Sequence, residues 1–165
     1  MKKLKFTLVF SLLLVTCWIY AQELRVEPNT SLTIEAGTTM DISSGNLILE
    51  SDASGDASLI DNGNVTYSGG GNANVQRYLT EGKWHLVSSP VSNAQSGLFL
   101  ADYLQYHTES TNGWTDIIAD NYSLSIMQGY DLWSVEAGPT TEVFVGSTNT
   151  GTLNKSFTQS GKKAP

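Results

Sequence analysis

Cysteine is almost absent from this sequence. Cys17 is the single cysteine among 165 residues, and it lies inside the apolar segment at the start of the chain. A disulfide framework and a cysteine-based zinc site are therefore excluded for the rest of the chain. Stability must come from packing and hydrogen bonding.

Basic residues are also scarce. Nine Lys and Arg stand against sixteen Asp and Glu, which gives a formal charge of −7. Without Lys2, Lys3 and Lys5 at the start of the chain, six basic residues remain and the charge becomes −10. Because nucleic acids and anionic membrane surfaces are bound by clustered Lys and Arg, neither is an expected partner.

A long hydrophobic run occurs at the N-terminus, from Phe6 to Tyr20, after the three lysines. This pattern predicts a secretory signal peptide over residues 1–21, with cleavage after Ala21. The run is shorter than the ~20 residues needed to span a bilayer, so no stable membrane span is expected. Lipidation at Cys17 is an alternative, since the residues before it resemble a lipoprotein box. Either reading predicts an exported protein.

Aromatic residues are nearly missing from the first part of the exported chain. Tyr67 is the single aromatic in residues 22–76, whereas eleven follow in residues 77–165. This contrast predicts two units with different cores, divided between residues 76 and 77.

Short apolar pairs run through residues 22–76, separated by Gly, Asn, Asp and Ser, and this alternation predicts short strands joined by turns. The pairs are Leu32/Ile34, Met40/Ile42, Leu47/Leu49, Leu59 with Ile60, and Val65/Tyr67. A meander and a parallel β-solenoid both fit. The solenoid is favoured because the strands are short, the turns are rich in Gly and Asn, and the core is aliphatic. The glycines at 69–71 predict a hinge after this unit.

Residues 77–165 contain seven predicted strands at a spacing of about ten residues, which is typical of a β-sandwich or jelly roll. These strands are Trp84–Ser88, Leu104–His107, Gly113–Ile118, Tyr122–Ile126, Gly129–Ser134, Thr141–Gly146 and Thr152–Thr158. One short helix is predicted within residues 92–103. The last strand has no partner after it, so an incomplete domain is expected. The predicted fold is all-β: a short parallel β-solenoid followed by an antiparallel sandwich-like domain.

This chain has few of the residues that hydrolytic catalysis requires. His85 and His107 are the two histidines, and no serine lies in a Gly-x-Ser-x-Gly elbow. No spacing selects a pair of carboxylates for glycoside hydrolysis, although a glycoside hydrolase fragment stays an alternative. No catalytic residue is predicted, and a non-enzymatic protein is expected.

Calcium is the one cofactor that the sequence suggests. Asp52, Asp56 and Asp61 crowd one stretch of turns, and Ca²⁺ takes carboxylate and carbonyl oxygens from such loops. The alternative is that these acidic residues terminate turns and keep strand edges soluble.

Exposed aromatic rings provide the candidate binding site. Trp84, Tyr103, Tyr106, Trp114, Tyr130 and Trp133 could together supply stacking surfaces for sugar rings. Within this set the best candidates are Trp114, Trp133 and Tyr130. Alternation places Trp133 and Asp131 on one face of their strand and Tyr130, Leu132 and Ser134 on the other. The other interpretation is that most of these rings are core residues of a purely structural module. A carbohydrate-binding accessory module is the alternative function, with a polysaccharide or another surface component as its partner.

A likeness to known proteins begins at Asn74–Leu79 and continues through Lys83–Val91. Residues 31–91 resemble a recurring segment of large secreted proteins of the Bacteroidota that are exported by the type IX secretion system, and Gln128–Trp133 extends the likeness. The resemblance implies an adhesin-like, secreted or cell-surface protein and brings no catalytic residues. Such proteins carry a C-terminal sorting domain. Since this chain has none, truncation or a periplasmic location is also expected.

Overall fold

The computed structural model describes residues 23–135 and 137–156. The predicted signal peptide, Cys17 and the chain after residue 156 lie outside these residues. The described residues form fourteen strands and one short 3-10 helix, so the prediction of an all-β chain is confirmed. Within the same residues, no helix has the length and apolarity to cross a lipid bilayer.

The first nine strands are short extended segments separated by tight turns, and every apolar pair predicted from the sequence lies in one of them. They are β1 (Leu24–Val26), β2 (Ser31–Ile34), β3 (Thr39–Ile42), β4 (Asn46–Leu49), β5 (Ser51–Asp52), β6 (Gly55–Asp56), β7 (Ser58–Asp61), β8 (Asn64–Tyr67) and β9 (Asn72–Leu79).

Seven of these strands pair in three parallel ladders, which we call the parallel stack. The ladders join β1 to β4 and β4 to β9, β2 to β7, and β3 to β8. The chain visits the three ladders in order and then returns to the first. Side-chain hydrogen bonds between successive turns join residues 25 apart, for example Arg25 to Glu50 and Asn29 to Ser54. The antiparallel hairpin β5–β6 is interposed between β4 and β7.

The interior of the parallel stack is aliphatic, as the composition of residues 22–76 predicts. Its buried members come from five of the parallel strands and are Val26, Ile34, Ile42, Leu47, Leu49 and Val65. Leu47, in the middle strand of the first ladder, is completely buried.

The glycines at 69–71 lie against the preceding turn of the chain. A methyl group on Gly71 would overlap the carbonyl oxygen of Ile42, and one on Gly69 would overlap that of Ser43. Gly71 is buried, and its N–H donates a hydrogen bond to the carbonyl of Ser68 (2.8 Å). Gly69 and Gly71 therefore permit close packing between turns, and a hinge at residues 69–71 stays a prediction.

The remaining strands are β10 (Trp84–Val87), β11 (Tyr103–Thr108), β12 (Gly113–Asp116), β13 (Tyr130–Trp133) and β14 (Thr140–Gly146). Four of them form an antiparallel sheet in the order β10-β13-β11-β12. β14 instead pairs antiparallel with β9 and so extends the first ladder of the parallel stack. The predicted short helix corresponds to the 3-10 helix Ser96–Phe99.

Two of the seven predicted strands are not formed in the described residues. The segment Tyr122–Ile126 makes a single isolated bridge, from Ser123 to Gln95. This segment pairs with the loop that leads into the 3-10 helix rather than with a strand. Met127 then turns the chain, with a φ of 56°, so the pairing does not extend into a ladder. Residues 152–156 carry no strand either, and the rest of Thr152–Thr158 lies outside the described residues.

The chain has two buried cores. All buried members of the first core precede residue 66, and those of the second follow residue 78. The second core joins Leu79 and Phe144, from β9 and β14, to the inner face of the antiparallel sheet. β9 crosses the predicted boundary between residues 76 and 77, so both parts of the chain share this strand. The division of the chain into two domains between residues 76 and 77 stays a prediction.

Candidate carbohydrate-binding face

The antiparallel sheet has an inner and an outer face, because side chains alternate along each strand. On β13, Tyr130 and Leu132 point inward and are buried, whereas Asp131 and Trp133 point outward and are partly exposed. The alternation predicted for this strand is therefore confirmed. The inner face packs in the second core, which leaves the outer face to solvent.

Three aromatic side chains form one row across the outer face, and we call them the aromatic cluster. Trp84 on β10 and Tyr103 on β11 both lie opposite Trp133 on the strand between them. The ring centroid of Trp84 is 5.4 Å from that of Trp133 and 6.0 Å from that of Tyr103. The interplanar angles are 63° and 72°, so the rings meet edge to face.

The aromatic cluster is accessible despite these contacts. Trp84 is 49% exposed and Tyr103 is 42% exposed, while Trp133 is partly covered. Rings of this size are costly to leave in water, since each can bury a large apolar area. An exposed group of three such rings therefore indicates a surface suited to an apolar or sugar face.

A polar row lies next to the aromatic cluster on the same face. Asp131, Gln105 and Asp116 stand opposite one another on β13, β11 and β12. Gln105 Nε2 is 3.4 Å from Asp131 Oδ2, and the Tyr103 hydroxyl donates a hydrogen bond to Asp116 Oδ1. The hydrogen bond to this carboxylate, followed by burial and the carboxylate's charge, raises the pKa of Tyr103 above 10.0. Gln105 is buried at 9% exposure, so Asp131 and Asp116 are the members of the polar row that can accept hydrogen bonds from hydroxyl groups.

A second aromatic position lies further along the same face. Trp114 on β12 is 52% exposed and contacts the ring of His107 on β11, with centroids 5.1 Å apart. His107 and Tyr103 are four residues apart on one strand, so the two aromatic positions are roughly 13 Å apart. His107 Nε2 is also 3.3 Å from Asn112 Oδ1, which holds the ring in place.

The structure places the three predicted stacking residues in different environments. Trp114 and Trp133 lie on the outer face, and Trp133 belongs to the aromatic cluster. Tyr130 is 1% exposed, and its hydroxyl accepts a hydrogen bond from the Ser125 N–H (2.8 Å). The prediction that Tyr130 stacks on a ligand is therefore wrong, because its ring is part of the core.

Trp84 and Tyr103 complete the cluster, although they were not among the best candidates from the sequence. Both belong to the wider aromatic set, but nothing local distinguishes them. Trp84 meets Trp133 because β13 inserts between β10 and β11 in the sheet. The one indication in the sequence is the alternation of side chains along β10. Val87 faces the core, so Trp84, three residues earlier, faces the opposite side of the sheet.

The three predicted calcium ligands each have a partner in the protein. Asp52 accepts two hydrogen bonds from Ser54, which lower the pKa of its carboxyl. Asp56 forms an ion pair with Arg77 (2.5 Å), and Asp61 accepts a hydrogen bond from the Gly63 N–H. Over residues 23–135 and 137–156, no three His, Cys, Asp or Glu side chains group as a metal site would require. Calcium binding stays a prediction.

The two histidines sit on strands, as expected. His85 Nε2 accepts a hydrogen bond from the backbone N–H of Thr80 (3.0 Å), which ties the ring to the preceding loop. His107 is engaged with Trp114 and Asn112, as described above. The absence of catalytic function stays a prediction.

A cleft of about 220 Å³ opens beside the aromatic cluster, between the 3-10 helix and the segment after β12. Ser96 Oγ donates a hydrogen bond to the Ala119 carbonyl (2.5 Å), and Asp102 Oδ1 accepts one from the Val135 N–H (3.0 Å). Ser96 and Asp102 in this cleft are therefore engaged within the protein.

Comparison with protein-family models, curated proteins and solved structures finds no match to this chain.

Proposed function

We propose that this chain is an exported, non-enzymatic β module of an adhesin-like surface protein, and that it binds carbohydrate through the outer face of its antiparallel sheet. The observation that carries the proposal is the aromatic cluster, Trp84, Trp133 and Tyr103, beside the polar row. Sugar rings pack their apolar faces on aromatic rings, while nearby carboxylates and carboxamides bind their hydroxyl groups.

The proposal includes the finer architecture. Residues 22–76 form a short parallel β-solenoid, and residues 77–165 form a sandwich-like domain. The three parallel ladders and the 25-residue spacing of contacts between turns support the solenoid. The packing of the antiparallel sheet on β9 and β14 supports two facing sheets.

An exported location is part of the same proposal. It rests on the sequence of residues 1–21 and on the resemblance to type IX secretion substrates. The shortage of basic residues agrees with it, since an acidic surface without clustered Lys and Arg has little attraction for nucleic acid.

A glycan array of plant and algal polysaccharides tests the binding function. We expect the purified protein to bind a subset of the array and Trp84→Ala to abolish that binding. Val145→Ala is the matched control, because Val145 is 59% exposed but lies on β14, outside the face. Circular dichroism of each variant establishes that it is folded.

The outcomes separate three functions. Glycan binding that is lost in Trp84→Ala and kept in Val145→Ala supports the proposal. A folded protein that binds no glycan would reject the carbohydrate function and leave a purely structural module. Release of reducing sugar from any bound polysaccharide would instead identify a glycoside hydrolase fragment.

A further inference from the structure

We infer that the outer face selects soluble, uncharged glycan chains that run along β11, from the aromatic cluster to Trp114. This inference rests on the proposed carbohydrate function and specifies its ligand. Three features of the face support it: the spacing of its aromatic positions, the sign of its charges and the tilt of its rings.

The spacing sets the path and the length of the ligand. Tyr103, Gln105 and His107 all point to the outer face, because they are two residues apart on β11. A pyranose ring is about as wide as the separation of neighbouring strands, ~5 Å, and the two aromatic positions are roughly 13 Å apart. A chain of about three rings is therefore needed to contact both positions, with its middle over the polar row.

The charges exclude anionic ligands. Asp131 and Asp116 lie between the two aromatic positions, and none of the side chains on this face is Lys or Arg. Of the four basic residues in the described part of the chain, Arg25 and Arg77 form ion pairs in the parallel stack, and Lys155 follows β14. Lys83 directly precedes Trp84, at the end of the face away from the two carboxylates. Uronate or sulfate groups on a ligand would lie against carboxylates, and like charges brought together at an interface oppose binding.

The tilt of the rings excludes flat solid ligands. A crystalline polysaccharide surface requires aromatic rings in one plane, so that all of them touch it together. Trp84 is inclined by 63° to Trp133 and by 72° to Tyr103. The cluster therefore offers differently oriented surfaces, which suit a single flexible chain that can twist as it crosses the face.

Titration calorimetry with the full chain tests this inference. The probes are laminari-, cello- and xylo-oligosaccharides from disaccharide to hexasaccharide, together with alginate as the anionic probe and microcrystalline cellulose as the solid one. We expect the affinity for a neutral series to rise steeply between the disaccharide and the tetrasaccharide and then level off. We expect alginate and the cellulose solid to bind at least tenfold more weakly.

Two variants establish the path. Trp114→Ala should weaken binding of the hexasaccharide by about tenfold or more and leave the disaccharide unchanged. Trp84→Ala should weaken both ligands. Val145→Ala again serves as the control, and Asp131→Asn with Asp116→Asn should raise the affinity for alginate relative to the neutral chain.

Each outcome bears on one statement. Tighter binding of alginate than of every neutral glycan would overturn the charge argument while the carbohydrate function stands. Binding of cellulose alone would overturn the argument from ring tilt in the same way. Equal effects of Trp114→Ala on short and long chains would overturn the path. Absence of binding to every probe would reject both the inference and the carbohydrate function.

Discussion

Trp84 and Trp133 lie directly opposite each other on the neighbouring strands β10 and β13, with their rings in edge-to-face contact. Such aromatic pairs contribute about 0.5–1.5 kcal/mol beyond the apolar area that they bury. The pair therefore has a structural consequence besides the proposed binding: it holds β10 against the sheet from the solvent side.

A double-mutant cycle measures this pair. Trp84→Ala and Trp133→Ala should each destabilise the protein, and the two effects should couple by about 0.5–1.5 kcal/mol in urea unfolding. Trp114→Ala provides the control, since Trp114 lies on β12, three strands across the sheet from Trp84 on β10. Its effect should add to that of Trp84→Ala within ~0.5 kcal/mol. Simple additivity in both cycles would contradict the prediction.

Two buried serines should respond differently to removal of the hydroxyl. Ser51 Oγ donates to Asp56 Oδ1 (2.5 Å) and accepts from the Tyr78 N–H (2.8 Å). Ser51→Ala deprives both groups of a partner and should cost about 1–3 kcal/mol. Ser134 is completely buried, and its hydroxyl has no partner among the described residues. Ser134→Ala should therefore change the free energy of unfolding by less than ~0.5 kcal/mol or stabilise the protein. Denaturant titration checks both, and equal losses would count against the assignment of these bonds.

Gly71 tests the close packing between turns of the parallel stack. Gly71→Ala places a methyl group on the backbone of Ile42 and should destabilise the protein by about 1–3 kcal/mol, as other overpacked sites do. Gly129→Ala is the matched control, because nothing lies within 4 Å of its Cβ position. Neither glycine has a positive φ, so backbone strain does not enter the comparison. If thermal unfolding midpoints fall equally in both variants, the packing explanation fails.

The phenol of Tyr103 should ionise at a higher pH than an ordinary tyrosine. Its hydroxyl donates a hydrogen bond to Asp116, and this bond is lost when the phenol ionises, so the pKa lies above the ordinary 10.0. Because the folded-state pKa is raised, the stabilisation is complete below the ordinary pKa and is lost as pH rises through the raised one. Ultraviolet difference titration should detect one phenol that ionises at a higher pH than the others. Asp116→Asn should lower the pKa of this phenol.

Two further variants control the titration of Tyr103. Tyr103→Phe identifies which of the seven tyrosine signals belongs to this residue. Asp131→Asn removes a carboxylate from the same face without touching the hydrogen bond. An unchanged midpoint in Asp116→Asn would show that the carboxylate does not set the pKa.

Removal of calcium should have little effect on stability. Asp52, Asp56 and Asp61 are each bound by a side chain or an N–H group of the protein, as described above. Asp56 is therefore paired with a cation of the protein, and Asp52 and Asp61 are stabilised by neutral hydrogen-bond donors. We expect the midpoint of thermal unfolding to be the same with excess chelator and with added calcium. A midpoint that rises with calcium concentration would establish a metal site and overturn this prediction.

The strands of the parallel stack were readable from the sequence because they are local features. Pairs such as Leu32/Ile34 and Met40/Ile42 alternate between turn residues, and one face of each strand is buried. The aliphatic core follows from the same alternation, because the inward-facing residues of these strands are Val, Ile and Leu. The antiparallel sheet was read less completely, since its strand order is not the order of the chain.

The candidate site depends on that strand order. Trp84 and Trp133 are neighbours only because β13 returns between β10 and β11. Sequence alternation placed Trp133 outward correctly, but no local signal reveals which strand lies beside it. The prediction for Tyr130 was wrong because its side chain lies on the opposite face from that of Trp133, where its ring is part of the core. The face on which a side chain lies can thus be predicted from its own strand, whereas the clustering of rings depends on which strands are paired.

The reversal of direction at β9 limits how this architecture can vary in evolution. β9 pairs parallel with β4 on one side and antiparallel with β14 on the other, while β1 lies at the far edge of the same sheet. A duplicated unit of one turn of the parallel stack could enter before β4 without disturbing that junction. Gene duplication could therefore lengthen the parallel stack, while substitutions on the outer face changed the proposed ligand. The length of the protein and its binding specificity would then evolve separately.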